Sequence, residues 1–224
     1  MDANIQNAKA LTKIEINDME IKSKIYRGFK RIVDVILGCI GLVLLSPVFL
    51  ILAICIKIDS KGPVIFAHKR IGKNGKEFNM YKFRSMYENA EEMIENFSEE
   101  QKKEWQENFK LENDPRITRI GNFLRKTSLD ELPQIVNIIR GDLSIIGPRP
   151  VTGEELEKYE ENKEKFLSIT PGLTGYWQAN GRSNTTYEER MQMELYYVDN
   201  QSLWLDIKIF FKTIVSVVKK EGAM

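Results

Sequence analysis

The longest hydrophobic run in the chain covers residues 35–56, which are 22 positions without a charged side chain. At about 1.5 Å per residue, a straight helix of this length crosses a bilayer core of about 30 Å. Pro47 lies near the middle of the run and lacks the N–H that would bond the carbonyl of Val43. Ser46 is placed to satisfy that carbonyl. The pattern therefore predicts a membrane helix that kinks at Ser46 and Pro47.

Basic residues flank this run on both sides, and positive flanks favour the cytoplasmic side of a membrane. The pattern therefore favours a re-entrant hairpin, whose two arms return to one face, over a single spanning helix. A core helix of a soluble protein is the third alternative. Asp34 is expected to pair with Lys30 and Arg31 at the interface. The flanking cations are Lys24, Arg27, Lys30 and Arg31 before the run and Lys57, Lys61, Lys69 and Arg70 after it.

Downstream, the hydrophobic pattern changes to shorter elements. Residues 63–66 and 77–83 are predicted strands around a turn at residues 73–76, which together form a β-hairpin. The polar stretch 87–111 predicts one or two exposed helices. Residues 133–139 predict a helix that ends in a glycine cap at Gly141.

The C-terminal half is predicted to contain a polar helix over 153–166, a glycine-rich loop over 171–183, and helices over 187–197 and 203–220. The last of these is amphipathic, so it either packs on a core or lies on the membrane surface. The expected fold class is α+β and mostly helical. It combines the re-entrant hairpin, a small β-hairpin and amphipathic interfacial helices.

Composition narrows the possible functions. Lys and Arg number 33 against 32 Asp and Glu, so the global charge gives no reason to expect nucleic acid as a partner. Both cysteines, Cys39 and Cys55, lie in the apolar run, which argues against a disulfide or a zinc site. The single histidine, His68, cannot anchor a multi-histidine metal site, and it is expected to be an exposed strand residue. The length predicts one core-forming domain.

The run that carries candidate chemistry is residues 124–134, where Asp130 and Glu131 stand together at a predicted helix start. One interpretation is structural, because Ser128 and Glu131 have the spacing of a capping box. The other is chemical, because a carboxylate can attack phosphorus while a second acid holds Mg²⁺. Spacing alone does not assign the two roles.

Arginines surround this run in sequence and favour a polyphosphate substrate. Arg125 lies just upstream, and Arg149 is held between two prolines that stiffen its backbone. Arg182 follows a glycine that permits close backbone approach. A membrane-anchored module that binds phosphates without chemistry remains the alternative to an enzyme.

From Lys30 to the C-terminus the chain resembles the monotopic phosphoglycosyl transferases, which are bacterial sugar transferases. The resemblance rests on ordered motifs, namely Lys30-Arg31 with Asp34, Ser46-Pro47, Ser60-Lys61-Gly62-Pro63, Arg70-Ile71-Gly72, Lys82-Phe83-Arg84-Ser85-Met86, residues 127–134, Gly141-Asp142-Leu143-Ser144, residues 147–150 and Pro171-Gly172-Leu173-Thr174-Gly175.

The resemblance implies that a sugar 1-phosphate passes from a UDP-sugar to polyprenyl (undecaprenyl) phosphate with release of UMP, as the first step of exopolysaccharide, capsule or other surface glycan assembly. It implies Asp130 as the nucleophile that forms a covalent phosphosugar intermediate and Glu131 as the Mg²⁺ ligand. Arg125, Arg149 and Arg182 match positions that handle phosphates or the nucleotide.

The same resemblance implies a location at the cytosolic face of the bacterial cytoplasmic membrane. The expected organisation is a polar segment over residues 1–29, a re-entrant helix over 30–57 broken at Ser46 and Pro47, and a membrane-associated catalytic domain over 58–224. The expected partners are the UDP-sugar, polyprenyl phosphate and membrane lipids, but not nucleic acid. Whether the chain forms a homodimer is left open.

Overall fold

The computed structural model describes residues 2–108, 111, 113–181 and 185–218. Helix α1 (Asp2–Asp59) contains the whole apolar run and remains helical through Pro47. The hydroxyl of Ser46 donates to the carbonyl oxygen of Val43 at 2.8 Å, which confirms the predicted compensation for the missing proline N–H. Within the described chain, the section Ser23–Asp59 of α1 is the one helix long and apolar enough to cross a membrane by length and composition.

The globular part of the chain holds the part of α1 before Ser46 (residues 23–45, the first arm) through polar contacts. Arg31 donates to the carbonyl oxygens of Ile138 and Ile139 at 2.5 and 2.6 Å. Asp34 is buried and accepts from the backbone N–H of Ile145 at 3.0 Å. The prediction that Asp34 pairs with Lys30 and Arg31 is therefore wrong. Arg31 and Asp34 instead satisfy buried backbone groups of another segment, which would be costly to leave without a hydrogen bond.

The part of α1 from Pro47 onward (residues 47–59, the second arm) packs on the same globular part. Leu52 and Ile56 are buried in a cluster with Phe83 and Leu124. At the end of the helix, the carboxylate of Asp59 accepts from the backbone N–H of Ile120 at 3.0 Å. Contacts to one globular unit therefore precede and follow the apolar run.

The predicted β-hairpin is confirmed. Strands β1 (Ile65–Ile71) and β2 (Glu77–Phe83) pair antiparallel, and Ile65 lies opposite Phe83. A short 3₁₀ turn connects them, in which Asn74 takes a positive φ of 56°, a conformation that asparagine tolerates. The first strand begins later and runs further than the predicted 63–66.

The other helices are short except at the C-terminal end. Gly141 closes the helix Gln134–Arg140 with a φ of 93°, which confirms the predicted cap. The predicted helix over 153–166 is instead two helices separated by a 3₁₀ turn, and the helix Arg119–Thr127 was not predicted. These helices are α2 (Glu92–Glu95), α3 (Glu99–Asn108), α4 (Arg119–Thr127), α5 (Gln134–Arg140), α6 (Gly153–Glu157), α7 (Lys163–Leu167), α8 (Tyr176–Asn180), α9 (Tyr187–Asn200) and α10 (Leu203–Val218).

A second small sheet joins β3 (Ser144–Ile146) to β4 (Gly172–Thr174) in parallel. A Cβ on Gly172 would lie 2.1 Å from the backbone nitrogen of Gly147, so glycine is what permits this close pairing. The prediction of a loop over 171–183 is therefore wrong for β4 and α8. The α+β, mostly helical fold class with a small hairpin is confirmed.

Helix α10 presents an apolar face outward. Asp206, Ile209 and Ser216 are buried, whereas Trp204 and Phe211 are 65% and 62% exposed. The carboxylate of Asp206 accepts hydrogen bonds from Tyr26, Lys30 and Tyr197. The inward side of α10 is therefore partly polar and is tied to α1, while large apolar side chains face away from the protein.

Candidate active site

The two adjacent acids lie in a tight turn between α4 and α5. Ser128 ends α4 in the left-handed conformation, with a φ of 55°, and residues Leu129–Glu131 form a single 3₁₀ turn. Leu129 and Leu132 flank the acids and pack on the apolar cluster that contains Leu52 and Ile56 of α1. Hydrophobic burial on both sides therefore fixes the acids beside the apolar helix α1.

The capping-box interpretation of this run fails. The side chain of Ser128 makes no capping hydrogen bond, and the residue before α5 is Pro133. Complete capping boxes form elsewhere, at Thr152 with Glu155 and at Thr186 with Glu189. Glu131 therefore does not serve as the capping residue that its spacing from Ser128 suggested.

Lys82, near the end of β2, bridges the two acids. Its Nζ lies 2.8 Å from Oε1 of Glu131 and 3.6 Å from Oδ2 of Asp130. The antiparallel hairpin brings this lysine to the acids, although Lys82 and Glu131 are 49 residues apart in the sequence. Sequence analysis did not single it out, although it opens the motif Lys82-Phe83-Arg84-Ser85-Met86. That motif was the signal that could have identified it.

The two carboxyls have different electrostatic environments. Asp130 is only 8% exposed, and this burial raises its pKa above the ordinary value, against the opposing effect of Lys82. Burial also opposes ionisation of Glu131, but Lys82 and then Arg149 outweigh it and hold the pKa of Glu131 below its ordinary value. The pair therefore contains one carboxylate that stays charged and a second whose charge depends on the cations beside it.

Arg125 approaches the acids from α4. Its Nε donates to the hydroxyl of Ser85 at 2.9 Å. Burial lowers the pKa of Arg125, and the charges of Asp130 and Asp114 counteract this effect. The hydrogen bond to Ser85 thus holds the side chain beside Asp130. The assignment of Arg125 to phosphate or nucleotide binding stays a prediction.

Arg149 lies on the loop after β3. Its backbone N–H donates to Oε1 of Glu194 at 3.1 Å, so a residue of α9 fixes the loop. Glu194 is fully buried, and burial raises its pKa to about 7. The charge of Arg149 acts on Glu131. The structure therefore brings Arg125 and Arg149 to the same pair of acids.

A second polar cluster adjoins Arg149. Glu155 is 2.8 Å from Arg70 and 3.3 Å from Arg190, and Arg190 lies over the ring of Trp177 at 4.7 Å. Burial and the charge of Arg70 lower the pKa of His68, which lies part-buried on β1. Sequence analysis missed this cluster because its members come from four separate elements.

The predicted ligand Arg182 lies outside the described residues. Its described neighbour Gly181 ends α8, next to Trp177, whose indole N–H donates to Thr185 at 2.8 Å. The assignment of Arg182 to phosphate or nucleotide binding therefore stays a prediction.

The residues at the turn fit a magnesium ion of the type that substrate phosphates complete. Among the described residues, no group of three or more His, Cys, Asp or Glu side chains could hold a metal alone. Mg²⁺ commonly takes one or two carboxylates and fills its other positions with water and substrate phosphates. Asp130 and Glu131 supply such carboxylates, although Lys82 already contacts both.

Comparison with known proteins identifies relatives along most of the chain. A family model described as bacterial sugar transferase matches residues 25–220. The undecaprenyl-phosphate galactose phosphotransferase of Salmonella typhimurium is 43% identical over 200 residues, which cover 88% of this chain and 42% of that protein. The UDP-galactose-lipid carrier transferase of Erwinia amylovora is 46% identical over 200 residues, with the same coverage.

A third relative has a similar length. The exopolysaccharide production protein ExoY of Rhizobium meliloti is 45% identical over 197 residues, which cover 87% of each chain. The chain spans about two fifths of the length of the Salmonella and Erwinia proteins. A family model that matches nearly the whole described sequence settles the classification. The chain belongs to the bacterial sugar transferase family.

Proposed function

We propose that this chain transfers a sugar 1-phosphate from a UDP-sugar to undecaprenyl phosphate and releases UMP. The product is the lipid-linked sugar that begins assembly of an exopolysaccharide, capsule or other surface glycan. The observation that carries the proposal is the buried Asp130, set among Lys82, Glu131 and Arg125 and packed beside an apolar helix. The names of the relatives support the lipid carrier, the uridine nucleotide and the glycan pathway.

In the first half-reaction, a carboxylate oxygen of Asp130 attacks the phosphorus that bears the sugar. A bond forms between that oxygen and phosphorus, and the bond from phosphorus to the bridging oxygen of the diphosphate breaks. UMP leaves with the electron pair, so no proton transfer to the nucleophile is required. Burial raises the pKa of Asp130, and Lys82 and Arg125 oppose that effect by favouring the charged carboxylate. The same two cations offset the repulsion between the carboxylate and the phosphates.

In the second half-reaction, a phosphate oxygen of the lipid attacks the same phosphorus. The bond to Asp130 breaks, the carboxylate is regenerated, and the sugar is left on a lipid diphosphate. Arg149, on the Glu131 side of the site, is the cation placed to hold the transferring phosphate during this exchange. Glu131 is the residue that would hold Mg²⁺, which on binding neutralises phosphate charge.

The contacts of α1 support a re-entrant position in one leaflet. Arg31 and Asp34 before the apolar run, and Asp59 after it, all bind backbone groups of one globular unit. A helix with both ends held by one polar domain cannot place those ends on opposite sides of a bilayer. Val43 and Leu44, next to the proline, are 72% and 71% exposed, as expected for the deepest part of a membrane hairpin.

The outward face of α10 supports a domain that lies on the membrane surface. Its exposed residues Trp204, Phe211 and Val215 are suited to the boundary between headgroups and acyl chains. Because Asp206 on its inward side binds Tyr26 and Lys30 of α1, the two helices meet the membrane as one unit. We therefore propose that Asp130 lies at the cytosolic face, where a soluble nucleotide sugar arrives.

The decisive experiment measures UMP from purified protein before any lipid acceptor is added. With Mg²⁺ and a panel of UDP-glucose, UDP-galactose and UDP-N-acetylgalactosamine, one donor should release about one UMP per active site. Intact-mass analysis should then show a phosphosugar on the protein. Asp130→Asn should abolish both signals, and Glu131→Gln should raise the Mg²⁺ concentration required for UMP release.

The matched control is Asp199→Asn, which removes an exposed carboxylate paired with Lys165. This variant should retain the burst and the adduct. Full turnover in Asp130→Asn would show that the nucleophile assignment is wrong. Donor binding without any UMP release in the wild-type chain would favour a binding module over an enzyme.

The topology has a separate test. In a Cys39→Ala, Cys55→Ala background, single cysteines replace Lys24, before the apolar run, or Lys76, after it. In sealed vesicles, an impermeant thiol reagent should label both positions from the same side. Opposite-side labelling would rule out the re-entrant position and support a spanning helix.

A further inference from the structure

A cavity of about 230 Å³ lies between the first arm of α1, the turn of the β-hairpin and the segment that follows α5. Four of its lining residues are cations, and one is an acid. The cations are Arg27, Lys30, Arg31 and Lys73, and the acid is Asp34. None of them belongs to the turn that holds Asp130.

Internal partners neutralise part of this charge. Lys30 pairs with Asp206 at 2.6 Å, and Arg31 donates to the last carbonyls of α5. Arg27 donates only to the carbonyl of Ser23, and no ion pair with a described residue involves Arg27 or Lys73. Since Asp34 accepts from Ile145, the single lining acid is also engaged. The cavity thus keeps two cations whose charge the described chain does not compensate.

The position of the cavity relative to the apolar run indicates its depth. Asp34 lines the cavity and immediately precedes Val35, the first residue of that run. In the membrane position proposed above, the cavity opens at the level of the lipid headgroups. Cations at this depth meet the phosphates of anionic lipids.

The size of the cavity restricts the ligand. Pockets for drug-sized ligands begin at about 300 Å³, so a whole nucleotide sugar does not fit. A phosphate with a small headgroup fits this volume, and acyl chains could follow the exposed apolar surface of α1. The carbonyl ends of α5, which would repel an anion, are covered by Arg31.

The cavity is separate from the transfer site. Gly141 and Leu143 line it at the C-terminal end of α5, whereas Glu131 precedes the N-terminal end of that helix. Seven helical residues span about 10 Å. A lipid phosphate in the cavity therefore does not reach Asp130 as the acceptor.

We propose that this cavity binds the phosphate group of an anionic membrane phospholipid, with Arg27 and Lys73 as its cationic ligands. This site rests on the proposed membrane position of the chain but not on the transfer reaction. It would fix the first arm of α1 to the hairpin turn through a bound lipid.

The test uses the full chain in neutral detergent micelles that contain equal amounts of phosphatidylglycerol and phosphatidylcholine. Native mass spectrometry counts the lipids that remain bound. The wild-type chain should retain one phosphatidylglycerol in preference to phosphatidylcholine. Arg27→Gln with Lys73→Gln should reduce that adduct by about tenfold or more, because two charge-assisted contacts are lost.

The matched control is Lys24→Gln with Lys76→Gln, which removes the same charge from the same two elements outside the cavity lining. It should retain the lipid, as should Arg27→Lys with Lys73→Arg, which also shows that the cavity variants fold. Equal loss in both Gln pairs, or equal retention of the two lipids by the wild type, would overturn the site. Displacement of phosphatidylglycerol by an equal concentration of inorganic phosphate would overturn the lipid as its ligand. Because no step requires UMP release, failure here is distinct from failure of the proposed transfer reaction.

Discussion

Removal of the Lys82 charge should shift the pH dependence of UMP release to higher pH. Lys82 lies 3.6 Å from Asp130 and 2.8 Å from Glu131, and it is the cation that most strongly opposes the effect of burial on the pKa of Asp130. In Lys82→Gln, Asp130, the proposed nucleophile, loses this stabilisation of its charged form. Asp130 therefore needs a higher pH to ionise.

The distance bounds the size of the shift. Two unit charges 3.6 Å apart interact by about 1 kcal/mol at the dielectric constant of water and about 5 kcal/mol at an effective value of 20. Lys82 is partly exposed, so solvent screening favours the lower part of this range. At 1.36 kcal/mol per pH unit, the acid limb of the pH–rate profile for UMP release should move to higher pH by about one unit or more.

The assay is the single-turnover rate of UMP release between pH 4 and pH 9, at saturating donor and fixed Mg²⁺. Asp130 and Glu131 titrate as a coupled pair, so the limb reports the pair. Lys82→Arg should keep the wild-type limb because it keeps the charge. Lys69→Gln should also keep it, because Lys69 is an exposed lysine of β1. An unmoved limb in Lys82→Gln would refute the reasoning.

Three further predictions concern stability, measured as the free energy of unfolding or the thermal midpoint in micelles. Because burial raises the pKa of Glu194 to about 7, its stabilising contribution is present below pH 4.5 and is lost as the pH rises through 7. This loss of stability amounts to about 3 kcal/mol. If Glu194→Gln lost the same stability over this pH range, the assignment of the loss to Glu194 would be contradicted. Gly121→Ala places a Cβ 1.9 Å from a backbone carbonyl oxygen and should cost about 2 kcal/mol or more, whereas Gly153→Ala has nothing within 4 Å and should be nearly neutral. Equal midpoints for these two alanine variants would be the contrary result. Asp206→Ala removes an acceptor shared by three donors and should cost about 3 kcal/mol, against less than about 1 kcal/mol for the exposed Asp199→Ala, and similar costs would contradict this account.

The sequence predicted those structural features that depend only on neighbouring residues. The cap at Gly141, the hairpin turn and the hydroxyl of Ser46 each depend on residues within one turn of the chain, and the structure confirms all three. Strand β4 and helix α8 were missed because their glycines indicate a loop by composition. At Gly172, however, the glycine serves close pairing with another strand. That requirement comes from residues outside the segment.

The candidate site shows the same division. The acids and the stiffened Arg149 were identified from sequence, because neighbouring acids and flanking prolines are visible in a short window. Lys82 was not, because its role depends on the hairpin register and on the turn that brings Glu131 to β2. Glu194 was not, because a buried acid on a helix looks like any surface acid until its burial is known. Long-range packing determines both roles.

The same long-range packing links the membrane segment to the chemistry. Leu129 and Leu132, on either side of the acids, pack on the cluster that contains Leu52 and Ile56 of α1. In the proposed membrane position, the depth of α1 therefore also sets the depth of Asp130, since the turn cannot move without opening this cluster. A soluble donor and a lipid acceptor reach one carboxylate only if that carboxylate stays at the interface. In the proposed function, the apolar helix thus positions Asp130 as well as anchoring the chain, and mutations that loosen the second arm of α1 should reduce transfer to lipid more than release of UMP.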